Sequence, residues 1–215
     1  KQIGLALHSY QETFRYYPMS FCVDGPSGTG GGEWSIQARL LPFLDQANLE
    51  NLIDFESNYG SQPDIEVRRI HVYLCPSETK DRGRNDSVGT PIHYPLSYAF
   101  NGGTWQVYDP ARNLGGDGAF APNARLGPRD YHDGMSSTIA FSEVKTFSPY
   151  LRDGGDGPAV APTDPAAIAR LGGTFKRDTG HTEWVDGRVH QTGFTTTFTP
   201  NTLVPYEVAG KVYDI

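Results

Sequence analysis

An α+β chain forming one domain, with helix first and antiparallel sheet afterwards, is what this sequence predicts, and three observations predict it. Residues 1–18 read KQIGLALHSYQETFRYYP, in which Ile3, Leu7, Tyr10, Phe14 and Tyr17 recur at steps of four and three and so fall on one stripe of an α-helix. Residues 36–53, IQARLLPFLDQANLENLI, are again helical in pattern. Beyond Pro63 the chain changes to short runs rich in β-branched and aromatic residues, separated by glycine-bearing turn signals.

Taken in order, the first helix predicts a stop at Tyr17-Pro18, because the residue before a proline is pushed out of the α region. The run GPSGTGGG, residues 25–32, predicts a loop. Its bare amides suit a phosphate, but Glu33-Trp34 stand where a phosphate loop needs Lys-Ser/Thr, which removes that reading. In the second helical region Pro42 predicts a kink or the first turn of a new piece, with Leu41, Leu44, Leu49, Leu52 and Ile53 facing the core. The predicted strands are VRRIHVYLC (67–75), HYPLSYAF (93–100), TWQVY (104–108), STIAFSEV (137–144), HTEWV (181–185) and RVHQTGFTTTF (188–198). If Asp186-Gly187 is a two-residue hairpin turn, Glu183 pairs with His190 and Trp184 with Val189. His181, Glu183, Arg188 and His190 then share one face, and Trp184 and Val189 the inward one.

The 215 residues suffice for one domain with a sizeable core, and no charged or Ser/Pro tract divides them. With 25 glycines, 16 prolines and 12% aromatic residues the composition is that of a turn-dense chain of short strands. A formal net charge of −7 argues against nucleic acid or anionic lipid as partner. No run approaches the roughly 20 apolar residues of a membrane span, which predicts a soluble domain. Cys22 and Cys75 are the only cysteines, at no zinc-binding spacing. Either they remain two thiols or they pair, and pairing would close a loop of roughly 50 residues with a stabilisation of roughly 4 kcal/mol.

Four sets of residues are candidates for chemistry. On the drawn hairpin His181, Glu183 and His190 could ligate one metal ion, against the alternative of a solvated strand face. Loops rich in carboxylates suit calcium: DRGRNDS (81–87) lacks the turn glycine and distant Glu of a hand-type site, whereas DGGDG (153–157), with Asp153 and Asp156, and GGDG (115–118) suit an irregular one. DGMSSTIAFSE (133–143) offers Ser136 and Ser137, yet without a G-x-S-x-G elbow or an identifiable histidine, so the chain reads as no enzyme. The loop NGGTWQVYDP (101–110) places Trp105 and Tyr108 beside Asp109, a ligand-binding alternative for a carbohydrate or other envelope ligand. A metal-dependent hydrolase is the remaining alternative.

KQIGLALHSY, Trp34, LLPFLDQ (40–46), CPS (75–77), SYAFNGG (97–103), DGMSSTIAFSE and VDGRV (185–189), in that order, resemble a large family of pilin-like planctomycete proteins. These carry a domain of unknown function and are similar to the G-type pseudopilins of type II secretion. The chain departs from common members in its ending, where His181 precedes Asp186 by five residues instead of about ten. The resemblance implies a pilin-like fold with a prepilin leader, a methylation site and an apolar segment running into Lys1, which would account for a first helix with no Ser, Thr, Asp or Asn cap. It further implies a structural protein of the cell envelope, membrane-anchored, its soluble domain in the periplasm or outside the cell. The helix bearing Ile3, Leu7, Tyr10 and Phe14 would pack on other pilin-like subunits, Cys22 and Cys75 would form a disulfide in an oxidising compartment, and no cofactor except calcium would be expected.

Overall fold

A computed structural model describes residues 1–23, 33–109, 111–155 and 157–215, and the α+β expectation is met. Helix α1 (Gln2–Phe14) buries Ile3, Ala6, Leu7 and Tyr10, the predicted stripe with Ala6 added. It stops one turn early. Arg15 takes the left-handed conformation (φ 70°) and its amide donates to Gln11 O, so Tyr17 lies beyond the helix. There Tyr17 is buried by a different route, its hydroxyl 3.0 Å from Met135 Sδ. Phe14 remains 46% exposed, packing edge-on with Phe43 and tilted against Tyr10 and Tyr16.

The second helical region is broken by its proline. Helix α2 (Ile36–Leu40) is capped by Ser35, whose Oγ accepts from the Ala38 amide. A 3-10 turn over Leu41–Leu44 follows with Pro42 in its first turn, Asp45 ends it at φ 58°, and α3 (Ala47–Glu50) begins again. Ile36, Ala38, Leu40 and Leu41 are fully buried, but Leu52 is 65% exposed, which corrects the sequence-based expectation for it. Its place after α3 sends it outward, while Leu49 and Ile53 pack at the core edge.

Residues 67–75, predicted as a strand, follow helix α4 (Pro63–Glu66) as an irregular segment with a 3-10 turn at His71–Tyr73. Tyr73 is wholly buried and donates its hydroxyl to Gln37 O at 2.6 Å, so the segment is anchored by side chains instead of by a ladder. Strands β1 (Arg84–Asn85) and β2 (Pro91–His93) form a short hairpin. Strand β3 (Tyr98–Asn101) is central. It pairs antiparallel with β6 (Phe141–Glu143) and parallel with β9 (Gly193–Phe194). Strands β4 (Tyr108–Asp109) and β5 (Leu114–Gly115) pair, as do β7 (Ser148–Arg152) and β8 (Thr174–Gly180). Helix α5 (Ala166–Ala169) sits in the β7–β8 connection. The terminal strands β10 (Pro205–Val208) and β11 (Lys211–Asp214) are joined through Ala209 and Gly210, both at positive φ as a tight primed turn demands.

The drawn hairpin about Asp186-Gly187 does not form. Residues 182–187 are all buried, so neither face is solvated and alternation has no meaning there. Trp34 pairs with Asp186 in an isolated antiparallel bridge, and helix α6 (Val189–Thr192) starts where the return strand was expected. Trp34 and Trp184 are fully buried and each donates its indole N–H to a backbone carbonyl 2.9 Å away, of Ser57 and Arg68 respectively. Cys22 and Cys75 are free thiols, which corrects the disulfide expectation. Different elements hold them: Cys22 lies near the Arg39 side chain, while Cys75 Sγ sits 3.0 Å from Ser77 Oγ. Among the described residues no helix is long and apolar enough to cross a membrane.

Candidate functional site

Ionisable groups gather around residues 182–188. Because that segment runs through the core, its polar side chains must find partners inside. Glu183 is met by Arg84, whose Nη1 lies 2.7 Å from Oε1, and Gln191 donates Nε2 to the same oxygen at 3.1 Å. On its other side His93 Nε2 stands 3.6 Å from Glu183 Oε2. The His93 Nδ1 is 2.6 Å from Glu66 Oε2, close enough for a charge contact but not aligned as a hydrogen bond. Thr182 completes the set, accepting from Arg84 at 2.8 Å and donating to Thr179 O. Two carboxylates, a guanidinium and an imidazole thus share one nearly dry site.

Asp186 is fully buried and held by its own neighbour: Arg188 donates Nε and Nη2 to the carboxylate at 2.7–3.0 Å, and its second Nη2 contact reaches Tyr59 Oη at 2.8 Å. Burial opposes the Arg188 charge, but the hydrogen bonds and charge of Asp186 outweigh it and hold the guanidinium above its usual range. Burial, then the Asp186 carboxylate, pushes the Tyr59 hydroxyl far up, so it stays a neutral partner. Gly187 follows because nothing larger fits. A Cβ there would run into Ser20 O and Phe21 Cβ. Gly187→Ala is accordingly expected to cost about 1–3 kcal/mol by overpacking, read as a lowered urea midpoint, while Gly89→Ala on the exposed β1–β2 turn, strained by its own positive φ but facing open space, should keep residues 182–188 intact by hydrogen exchange.

The predicted metal set is not brought together. His181 points its Nδ1 at Gln191 O, 2.9 Å away, and burial lowers its pKa. His190 stacks on Tyr150 at 4.9 Å between ring centroids, and burial lowers its pKa to about 4. Its Nε2 is buried without a hydrogen-bond partner among the described residues. Glu183 is engaged by Arg84. Among the described residues no three His, Cys, Asp or Glu side chains converge to hold a metal, and even Glu66 and Glu183 lie on different nitrogens of His93.

The loop candidates are likewise committed to their own loops. Asp153 is exposed at φ 56°, and Asp156 lies outside the described residues. Asp117 of GGDG accepts from the Thr104 amide and hydroxyl, and Asp86 of DRGRNDS from the Val88 and Thr90 amides. Trp105 is half-buried and donates Nε1 to Pro158 O at 2.7 Å; Tyr108 donates to Asn113 Oδ1; Asp109 caps the Ala111 and Arg112 amides. Ser136 and Ser137 sit in an exposed 3-10 turn. The residues that sequence reasoning missed are Glu66, Arg84, His93 and Gln191. They come from three stretches: Arg84 and His93 face each other across the β1–β2 hairpin, while Glu66 and Gln191 reach them from elsewhere in the chain.

This buried arrangement pairs charges across the fold and ties residues 66–93 to residues 183–191. A family model described as a protein of unknown function (DUF1559) matches residues 1–209. The chain belongs to this family. No curated protein and no solved structure matches it. In this chain the VDGR segment (185–188) has a structural part: the aspartate and arginine lock to each other, and the glycine leaves room for Ser20 O and Phe21 Cβ.

Proposed function

We propose that this DUF1559 chain is the globular domain of a pilin-like, pseudopilin-like cell-envelope protein of planctomycete type, membrane-anchored, with a structural role in a secretion or filament system and no catalytic turnover. The observation that carries this reading is the disposition of α1. As in a pilin, the first element is a helix whose apolar stripe lies along the domain, here through Ile3, Leu7 and Tyr10, with small antiparallel sheets following it. Leu5 stands on the opposite side of the helix, 60% exposed, available to a neighbouring subunit. A cleft of about 610 Å³ beside the first two turns of α1, floored by Leu74, Tyr98 and Phe141, offers a seat for part of a neighbouring helix. The partners in this reading are other pilin-like subunits and the inner membrane. No cofactor is required, and a calcium ion would have its place at the Asp153 loop.

The test uses the full-length protein in the producing cell. Leu5→Glu is expected to leave the domain's unfolding midpoint within about 0.5 kcal/mol of the parent, as an exposed substitution should, while reducing its co-isolation with partner subunits from the envelope fraction. Recovery of the parent protein in the cytosolic fraction, or unchanged co-isolation of the Leu5→Glu variant, would overturn the reading.

A further inference from the structure

A second cleft, of about 530 Å³, lies between the β1–β2 hairpin and the β7–β8 pair, away from α1. Its walls carry Arg82, Arg84, Arg152 and Lys176, against only two carboxylates, in a chain of net charge −7. Arg84 is neutralised by Glu183. Arg82, Arg152 and Lys176 form no ion pair among the described residues. The two carboxylates, Asp86 held ionised by turn amides and Asp178 exposed, are outnumbered by these three cations.

The sheet explains the convergence. Tyr150 pairs with Lys176 and Arg152 with Thr174, so Arg152 and Lys176 project from the same face of β7–β8, two residues apart on facing strands. Arg82 comes from the other wall, stacked over the Phe147 ring at 5.1 Å. Phe147 is held at φ 52°, a left-handed conformation that a bulky side chain rarely adopts, and it lines the cleft. Backbone strain of this kind collects where binding geometry is imposed by the fold. Three unpaired cations around a concave, ring-floored cleft of ligand size form an oxyanion trap.

We propose that this cleft binds a small multivalent oxyanion, a phosphate or sulfate monoester of a sugar-sized molecule. Arg152 and Lys176 take the ester oxygens, and Arg82 closes the site from the β1 side. The chain's net charge of −7 favours a compact ligand over a long polyanion, whose remaining charges would meet an overall negative protein. The proposal does not rest on the pilin-like reading, since neither α1 nor its neighbours contribute to the cleft.

Calorimetric titration of the purified chain at low salt with glucose 6-phosphate, glucose 6-sulfate and glucose tests it. Saturable binding of either ester, with no heat from glucose, is expected, and the stronger of the two identifies the ester class. Arg152→Ala and Lys176→Ala should each weaken binding roughly tenfold, the loss of one charged hydrogen bond. Arg112→Ala and Lys211→Ala, cations that do not line the cleft, should leave it unchanged. Circular dichroism melts of all four variants identify any that fails to fold, and Arg82→Gln supplies an independent variant from the opposite wall. No saturation by either ester up to about 10 mM, where even weak binding registers, or equal losses in the cleft and control variants, would overturn the proposal.

Discussion

Replacing Glu183 by alanine is expected to remove about 3–5 kcal/mol of folding stability, the cost of leaving a buried charge without its partner. Arg84 would keep its guanidinium in a site where its side chain is only 15% exposed, with Thr182 Oγ1 as its remaining neutral contact. Gln191 would lose the acceptor for one of its amide hydrogens, although Thr179 O keeps the other. His93 would be left with Glu66 alone. Since a domain of this kind has about 5–15 kcal/mol in total, the variant should be partly unfolded at physiological temperature. Urea denaturation followed by tryptophan fluorescence reads this directly, because Trp184 adjoins the altered residue in sequence. The double variant Arg84→Leu, Glu183→Leu removes both charges and should recover much of the loss. A loss below about 1 kcal/mol for Glu183→Ala would show that water already reaches Arg84 and that the pair is a surface one.

Acidification is expected to destabilise the domain through His190 before its carboxylates titrate. Burial on Tyr150 lowers the folded-state pKa of His190 from 6.5 to about 4. A depressed histidine pKa means that the fold holds the neutral ring. Above about pH 6.5 neither state binds the proton and the full stability is present. As pH falls below that value the unfolded chain takes up a proton that the fold refuses, and stability declines by about 1.4 kcal/mol per pH unit until the folded pKa is reached, roughly 3 kcal/mol in all. His181, also lowered by burial, adds in the same direction. The nearby Asp186 carboxylate opposes the shift, and Arg188, Arg152 and His181 reinforce it. Unfolding midpoints at pH 7 and pH 5 should differ by about 2 kcal/mol from this source, and His190→Phe, which keeps the stacked ring and removes the orphaned nitrogen, should flatten that difference. An unchanged slope in His190→Phe would place the acid sensitivity elsewhere.

What could be read from the sequence divides along a physical line. The buried stripe of α1 was legible because a helix is a local object and Ile3, Leu7 and Tyr10 repeat within three turns. Its early stop at Arg15 was not, since nothing in FRYYP marks Arg15 as the residue to turn left-handed. The central strand over Tyr98–Asn101 and part of STIAFSEV were found by their composition. HTEWV and VRRIHVYLC misled for one reason: β-prone residues buried by side-chain anchoring look like strands but need no ladder. The candidate site was the least legible part. Arg84 and His93 meet across the local β1–β2 hairpin, but Glu66 and Glu183 join them only through tertiary folding, and the one-face set of His181, Glu183 and His190 inherited the error in the hairpin that was to hold it.

The passage of residues 182–194 through the middle of the molecule also sets an order of events in time. Ser35 waits for Trp184 O, Trp184 for Arg68 O, and β3 for a parallel neighbour more than ninety positions downstream. None of these can form while the last third of the chain is still being made. At a synthesis rate of about 5–20 residues per second, the core residues between Ile3 and Phe120 are made several seconds before Trp184 and Val185 can join them, and these distant pairings then close slowly. The middle of this molecule is therefore sealed last, by residues 182–194, after the elements they fit between have been made.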